Sequence, residues 1–307
     1  YIFYLNVPIS IICIFLAWKY IPSEERKERL KVRFDAVGFV LSGFSLAGFM
    51  YGVEILSKDG VSYFYSLLII GFSLLLLWFN VRYSKHISHP LIDYSVMKIN
   101  SYKVTILTGS VSRMIIGVFP YLVPLMFQEG FGLNPFESGL LFLSTMVGNL
   151  SMKSLTVWIM HRFRFRTILI VNGCFSALFT FFTALLMPTT PVYVIVLVLF
   201  TAGLFRSLQF SSLTTLAFTD TPASQTTAAN TLYSTIQQMS TGMGIAMGAV
   251  VLRFSNIINH GIAGHYTIPD FRLAFIFVTV LGFVHLYGYT KLSKDAGSVV
   301  MLKKKIF

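Results

Sequence analysis

Apolar runs of membrane length recur along the whole chain, divided by short polar breaks. Nine windows reach the ~20 mostly apolar residues that a bilayer span requires: 2–20, 35–55, 62–83, 103–127, 136–160, 167–187, 191–217, 228–252 and 271–291. Their ends are drawn to within about 2–4 residues. Lipid offers no partner to a bare N–H or C=O, so a spanning segment is a helix or a strand of a closed barrel. Barrel strands cross in ~9–11 residues, and these runs are far longer. The pattern predicts an all-α integral membrane protein with nine transmembrane helices. The first run is already under way at Tyr1, where a translated chain would carry Met. That start predicts a chain that begins partway through something larger.

Composition agrees with the pattern. Charged residues make up 12% and apolar residues 55% of the chain, with a mean hydropathy of +0.72. A soluble domain carries about 25% charge. The first run has neither a charged leading region nor a small-residue cleavage site, so it reads as a span rather than a signal peptide. Cys13 and Cys174 both fall inside runs, without the spacing of a disulfide framework or a zinc site. They read as small apolar fillers.

The net charge of +12 acquires meaning only from its placement. When alternate loops are assigned to opposite faces, one face holds 18 Lys and Arg residues, and the other holds only Lys58, Arg253 and Arg272. That bias over short loops predicts the basic face as cytoplasmic, with the C-terminus inside and Tyr1 outside. The charge is therefore topological, with anionic lipid headgroups as its partner and no nucleic acid implied.

Polar connections and breakers organise the rest. The mixed-charge segment Ser23–Lys31 reads as a solvated turn. A tight pair of spans follows, joined at Lys58-Asp59-Gly60, and then a linker at 84–102 that carries His86 and His89. Six spans with short connections follow to 292, and short loops predict that sequence neighbours are antiparallel neighbours in space. Pro120 and Pro124 interrupt the fourth span and predict a kink. Gly242, Gly244 and Gly248 in the eighth predict close backbone packing, with Gly244 and Gly248 forming a GxxxG pair.

Several segments together resemble the fourteen-helix drug:proton antiporter branch of the major facilitator superfamily. Ile2-Phe-Tyr-Leu-Asn-Val-Pro-Ile9 resembles the start of that branch's sixth helix, and Asp35-Ala-Val-Gly38 the D-x-x-G start of its seventh. Pro90-Leu-Ile-Asp93 with Met97 and Asn100-Ser101 resembles the linker into the ninth. Gln128 with Gly132-Leu-Asn-Pro-Phe-Glu-Ser-Gly-Leu-Leu141 resembles the junction of helices nine and ten, and Gln237-Gln238 with Gly242 the core of the thirteenth. The stretches Ser112–Gln128 and Gly148–Lys153, with Arg206 and Phe210-Ser-Ser212, are similar to the MdtD-like subgroup.

The resemblance implies a major facilitator fold in which nine of fourteen helices are present. Residues 1–21 would be the last helix of the N-terminal bundle. Residues 22–101 would be cytoplasmic linkers and two extra helices, 102–292 the C-terminal six-helix bundle, and 293–307 a cytoplasmic tail. It also implies the inner membrane of a bacterium, and partners in a small-molecule substrate, protons, lipids and the missing N-terminal helices. No cofactor is implied. One departure stands out. The loop after the tenth helix of the branch often echoes an Asp-Arg motif, and here His161 stands where the acid would be, followed by Arg162, Arg164 and Arg166. Those three would meet lipid headgroups or the facing bundle.

Charges inside spans are the candidate chemistry. An ionisable side chain at a span centre costs about 2.5–3.5 kcal/mol on insertion scales, so it is read as functional. Arg113, Lys153 and Arg206 lie inside spans, while Asp35, Glu54, Glu129, Glu137, Asp220 and Asp270 lie near span ends. The three cations with Gln209, Gln237, Gln238 and Asn149 are the expected substrate-cavity residues. His285 reads either as a titrating group or as a helix–helix hydrogen bond. The leading reading is the C-terminal part of an efflux transporter exchanging a small organic solute for protons. A cationic cavity equally suits an organic anion or a metal chelate, and a non-transporting gene fragment is the third reading. No cluster at one depth suggests an enzyme or a metal site, and no nucleotide loop is present.

Overall fold

The computed structural model describes residues 2–20, 35–56, 63–87, 90–260 and 265–298. It divides into two units, Tyr1–Phe34 and Asp35–Phe307. The first holds one helix, α1 (Ile2–Tyr20), apolar along its length with Pro8 inside it. The segment Ser23–Lys31, the turn Lys58–Gly60, His89 and the tail beyond Ser298 lie outside the described residues.

The second unit is all helical among the described residues. Helices α2 (Ala36–Leu56) and α3 (Tyr63–Ser84) pack together as a pair. Then come α4 (Asn100–Leu125), α5 (Pro135–Arg162), α6 (Phe165–Ala184), α7 (Val192–Thr219), α8 (Thr226–His260), α9 (Ile268–Val284) and the short α10 (Leu286–Thr290). Among the described residues, eight helical stretches are long and apolar enough to cross a membrane; α1 has a described apolar stretch of Asn6–Tyr20, which is shorter. This is an all-α integral membrane architecture.

Local chemistry explains the helix ends. Asn134 caps α5 by accepting from the Glu137 N–H at 2.9 Å, and Glu137 reaches back to the Asn134 N–H, with Pro135 in the first turn. Such a box satisfies two otherwise orphaned donors. Thr267 and Asp270 form the same box at α9. The sequence placed the end of the eighth span at 252, but α8 runs on to His260. The extra turns carry Asn256 and Asn259, which donate to the buried Asp270 carboxylate and so tie α8 to α9. Helix α4 passes Pro120 and Pro124 and ends in a π turn, Met126–Gly130. Ser138 of α5 donates its hydroxyl to the Pro124 carbonyl at 3.0 Å, just before that π turn.

Packing bears out the expectation that sequence neighbours touch for α2 with α3, α6 with α7 and α8 with α9, and corrects it for α4, α5 and the step from α7 to α8. Helix α4 packs mainly on α8 and α7 and scarcely on α5, while α5 packs on α7 and α6 lies between α7 and α9. Glycines decide these pairs. A Cβ at Gly148 or Gly203 would run into the carbonyl oxygen of Phe200 or Thr145 on the facing helix. One at Gly117 or Gly244 would meet the backbone of Thr241 or Met114. Both pairs are thus backbone-to-backbone contacts, in which loop length has no say. Gly248 rests near Val118 and Leu122, and Gly242 faces Met50 of α2.

Two of the segments that carried the family resemblance meet in space. Asp35 accepts from the Gly38 N–H at 2.8 Å with one carboxylate oxygen and from the Leu91 N–H at 3.0 Å with the other. Asn80 donates to the Gly38 carbonyl and accepts from the Tyr94 hydroxyl. Tyr94 begins a 3-10 turn (Tyr94–Lys98) capped by Asp93, a structured piece of a linker expected to be simply polar. The turn buries Val96 and, with Ile92, packs against Tyr102, Ile106, Leu232 and Tyr233.

Candidate functional site

A cavity of about 270 Å³ opens among α4, α5 and α7, lined by Phe119, Thr145, Asn149, Lys153, Arg206 and Phe210 among others. Three of the expected cavity residues, Asn149, Lys153 and Arg206, therefore share one space. They arrive there from two helices whose close approach is set by Gly148 and Gly203. Pro120 also borders the cavity, so the kinked part of α4 forms one wall.

Arg206 is 5% exposed, and its guanidinium lies on the face of Phe119. Its Nε and Nη2 are buried without an acceptor, and no carboxylate pairs with it among the described residues. An aromatic face returns about 2 kcal/mol to a desolvated cation, against about 2.5–3.5 kcal/mol for placing one at a span centre. The site is left short of negative charge. Lys153 is exposed and donates from Nζ to the Ser211 hydroxyl at 2.9 Å. Ser207 donates to the Asn149 carbonyl, and the Thr145 hydroxyl is buried without a partner. The wall is aromatic and aliphatic with a few polar groups, as small-molecule pockets generally are.

The other expected cavity residues are placed elsewhere. Arg113 is 1% exposed but turns towards the start of α4, donating from Nη1 to the Thr105 carbonyl at 3.3 Å. Its guanidinium lies 4.5 Å above the Tyr233 ring, and Tyr233 hydrogen-bonds Thr214 at 2.7 Å, so Arg113 joins α4, α8 and α7. Gln209 accepts from Asn172 at 2.9 Å and is consumed between α6 and α7. Gln237 is half-buried and Gln238 exposed on α8, and neither lines this cavity. Arg162 ends α5, while Arg164 precedes α6 and Arg166 lies in its first turn.

The structure also reveals a polar cluster that sequence reasoning did not assemble. His285 Nδ1–H donates to the Leu281 carbonyl, which leaves Nε2 to accept from the Ser112 hydroxyl at 2.8 Å. Ser112 in turn accepts from Tyr289 at 2.7 Å. His285 thus makes the helix–helix hydrogen bond, between α9 and α4. Nothing in the sequence distinguishes Tyr289 or Tyr233 among 15 tyrosines. Among the described residues no group of His, Cys, Asp and Glu is arranged to hold a metal.

Comparison with known proteins places this geometry. The family model of the Major Facilitator Superfamily matches residues 1–245 and 105–292. The putative multidrug resistance protein MdtD of Pectobacterium carotovorum subsp. carotovorum is 28% identical over 255 residues, covering 82% of this chain and 53% of the relative. MdtD of Enterobacter sp. is 26% identical over 252 residues and that of Escherichia coli O6:H1 26% over 256, each with 82% of this chain and 53% of the relative covered. The chain spans about half the length of the curated relatives it matches. With long apolar helices packed on glycine contacts around a largely apolar cavity, and with a family match running through them, the chain belongs to the Major Facilitator Superfamily.

Proposed function

We propose that this chain is part of a secondary active transporter that exports a small organic solute in exchange for protons. Its helices α4 to α10 form the C-terminal bundle (102–292), preceded by the two extra helices and their linkers (22–101). Residues 1–21 belong to the N-terminal bundle, and 293–307 form a tail. The basic face lies in the cytoplasm, in the inner membrane of a bacterium. Alternating access arises from rocking of this bundle against the rest of the transporter around a midplane site. The observation that carries the reading is the cavity of about 270 Å³ among α4, α5 and α7, with a buried guanidinium on its wall. The relatives, putative multidrug resistance proteins by name, favour a drug or drug-like solute.

The cargo class follows from the same wall. Arg206 and Lys153 face one cavity that holds no carboxylate among its lining residues. Such a wall attracts an organic anion or a metal chelate and repels a lipophilic cation. Its aromatic members, Phe119, Phe142 and Phe210, suit an apolar body attached to that charge. Proton coupling is assigned by kinship with the antiporter branch. The test is uptake into proteoliposomes of the protein that carries these helices, under an imposed pH gradient, comparing an aromatic carboxylate with a lipophilic cation. Gradient-dependent movement of the carboxylate alone is expected. Equal or preferred movement of the cation overturns the anion reading, and movement that ignores the gradient overturns antiport.

A further inference from the structure

At the basic end of the bundle, a second cavity of about 270 Å³ is lined by Arg164, Arg166, Thr167, Ile170, Val171 and Lys294. Three cations converge there without a carboxylate in the lining. Two described acids, one touching the tail and one on it, stand outside the lining. Asp220, at the end of α7, accepts the Gly297 N–H at 3.3 Å, and Asp295 is exposed on the tail. The described part of the tail, to Ser298, is held against the bundle. Leu292 is buried, and Gly297 adopts φ +72° with Phe165 and Leu216 crowding its Cα, so a side chain there would be both strained and blocked. Lys294 is therefore held beside the first turn of α6.

The cavity sits at the level where two spans meet the headgroup layer, since one ends at Arg162 and the next begins at Phe165. Five to six residues further along α6 than Phe165, or about 8–9 Å deeper, the lining turns apolar at Ile170 and Val171. Beyond it Phe175 and Leu178 continue an exposed apolar strip along the same helix. A polar cradle followed by an apolar strip matches a phospholipid, whose charged head is followed by acyl chains. We propose that Arg164, Arg166 and Lys294 bind the phosphodiester headgroup of an anionic phospholipid, with its chains along Val171, Phe175 and Leu178. The inference goes beyond the transport reading and does not depend on it.

The test uses the purified protein in detergent, titrated with phosphatidylglycerol, phosphatidylcholine or inorganic phosphate, with bound species read by native mass spectrometry. Phosphatidylglycerol is expected to bind more tightly than phosphatidylcholine, and R164Q/R166Q/K294Q to remove that preference, roughly a hundredfold at the usual worth of a basic residue near an anionic surface. Undiminished binding to the triple variant overturns the site. Binding of inorganic phosphate as tightly as the lipid would make it a site for soluble anions and overturn the lipid assignment. Should the triple variant not fold, K294Q alone, on an exposed side chain, is expected to weaken phosphatidylglycerol about fivefold; no change there sinks the proposal equally.

Discussion

Arg113 and Arg206 look alike in the sequence, each a lone cation in the middle of an apolar run, yet the structure gives them different work. Both keep Nε and Nη2 buried without an acceptor and both lie on an aromatic ring, but Arg206 borders a cavity, whereas Arg113 also donates to the Thr105 carbonyl and its ring, Tyr233, is bonded to Thr214 of a third helix. Truncation should separate them. Arg206→Ala removes a poorly compensated buried charge, so thermal stability is expected to hold or rise while anion uptake falls more than tenfold. Arg113→Ala removes the piece that joins α4 to α8 and α7, so its melting temperature is expected to fall. Thermal shift and proteoliposome flux measured on both variants check this, and equal losses of stability would refute the division of labour. Their depth in the membrane is legible from hydropathy, because position along a run gives depth. Their direction is not, because the helices they face, α8 for Arg113 and α4 for Arg206, come from segments about a hundred residues away.

At the scale of the element, helix contacts rest on small residues more than on any apolar stripe. In lipid the tails are as apolar as leucine, so close backbone approach and van der Waals contact select the partners. The pair Gly244 and Gly248 is visible as a local motif. The pair Gly148 and Gly203 is not, since its members sit on different helices and meet only when α5 crosses α7. Overpacking costs about 1–3 kcal/mol, and more where the obstruction cannot yield; here it is helix backbone. Gly148→Val and Gly244→Val are each expected to lower the yield of folded protein and its melting temperature. Gly71→Ala, on α3 with nothing within 4 Å of its added Cβ, is expected to be neutral or to stabilise by up to about 1 kcal/mol. A tolerated Gly148→Val would show that the α5–α7 approach is softer than its geometry states.

For the unit as a whole, the informative feature is how α2 and α3 are attached to the bundle. Asp35, Asn80 and Tyr94 clasp the start of α2, the end of α3 and the linker, and the linker's Val96 is buried against α4 and α8. Asp35→Ala with Asn80→Ala should speed hydrogen exchange at the Gly38 and Leu91 amides while leaving the amides of α4 and α8 unchanged. Unaltered exchange at Leu91 would mean the clasp holds nothing. Burial pushes the Tyr94 phenol from its usual 10 up to about 12. A raised folded value means that its contribution is complete below about pH 10 and is lost as the pH climbs towards 12, so the clasp is expected to be insensitive to pH across the neutral range.

Fold class and the span positions from residue 35 onward were determined by the sequence alone, because they depend on a local quantity, about twenty apolar residues in a row. The motifs at Asp35–Gly38 and Pro90–Asp93 were legible too, though not the fact that they bind one another across 56 residues. Tertiary structure decided the rest. It paired α4 with α8 and α5 with α7 against the order of the chain, put Arg206, Lys153 and Asn149 on one wall, and diverted Arg113 and Gln209 into helix contacts. A helix presents every direction in turn, and only the helices packed around it determine which side chain meets a neighbour and which meets a cavity.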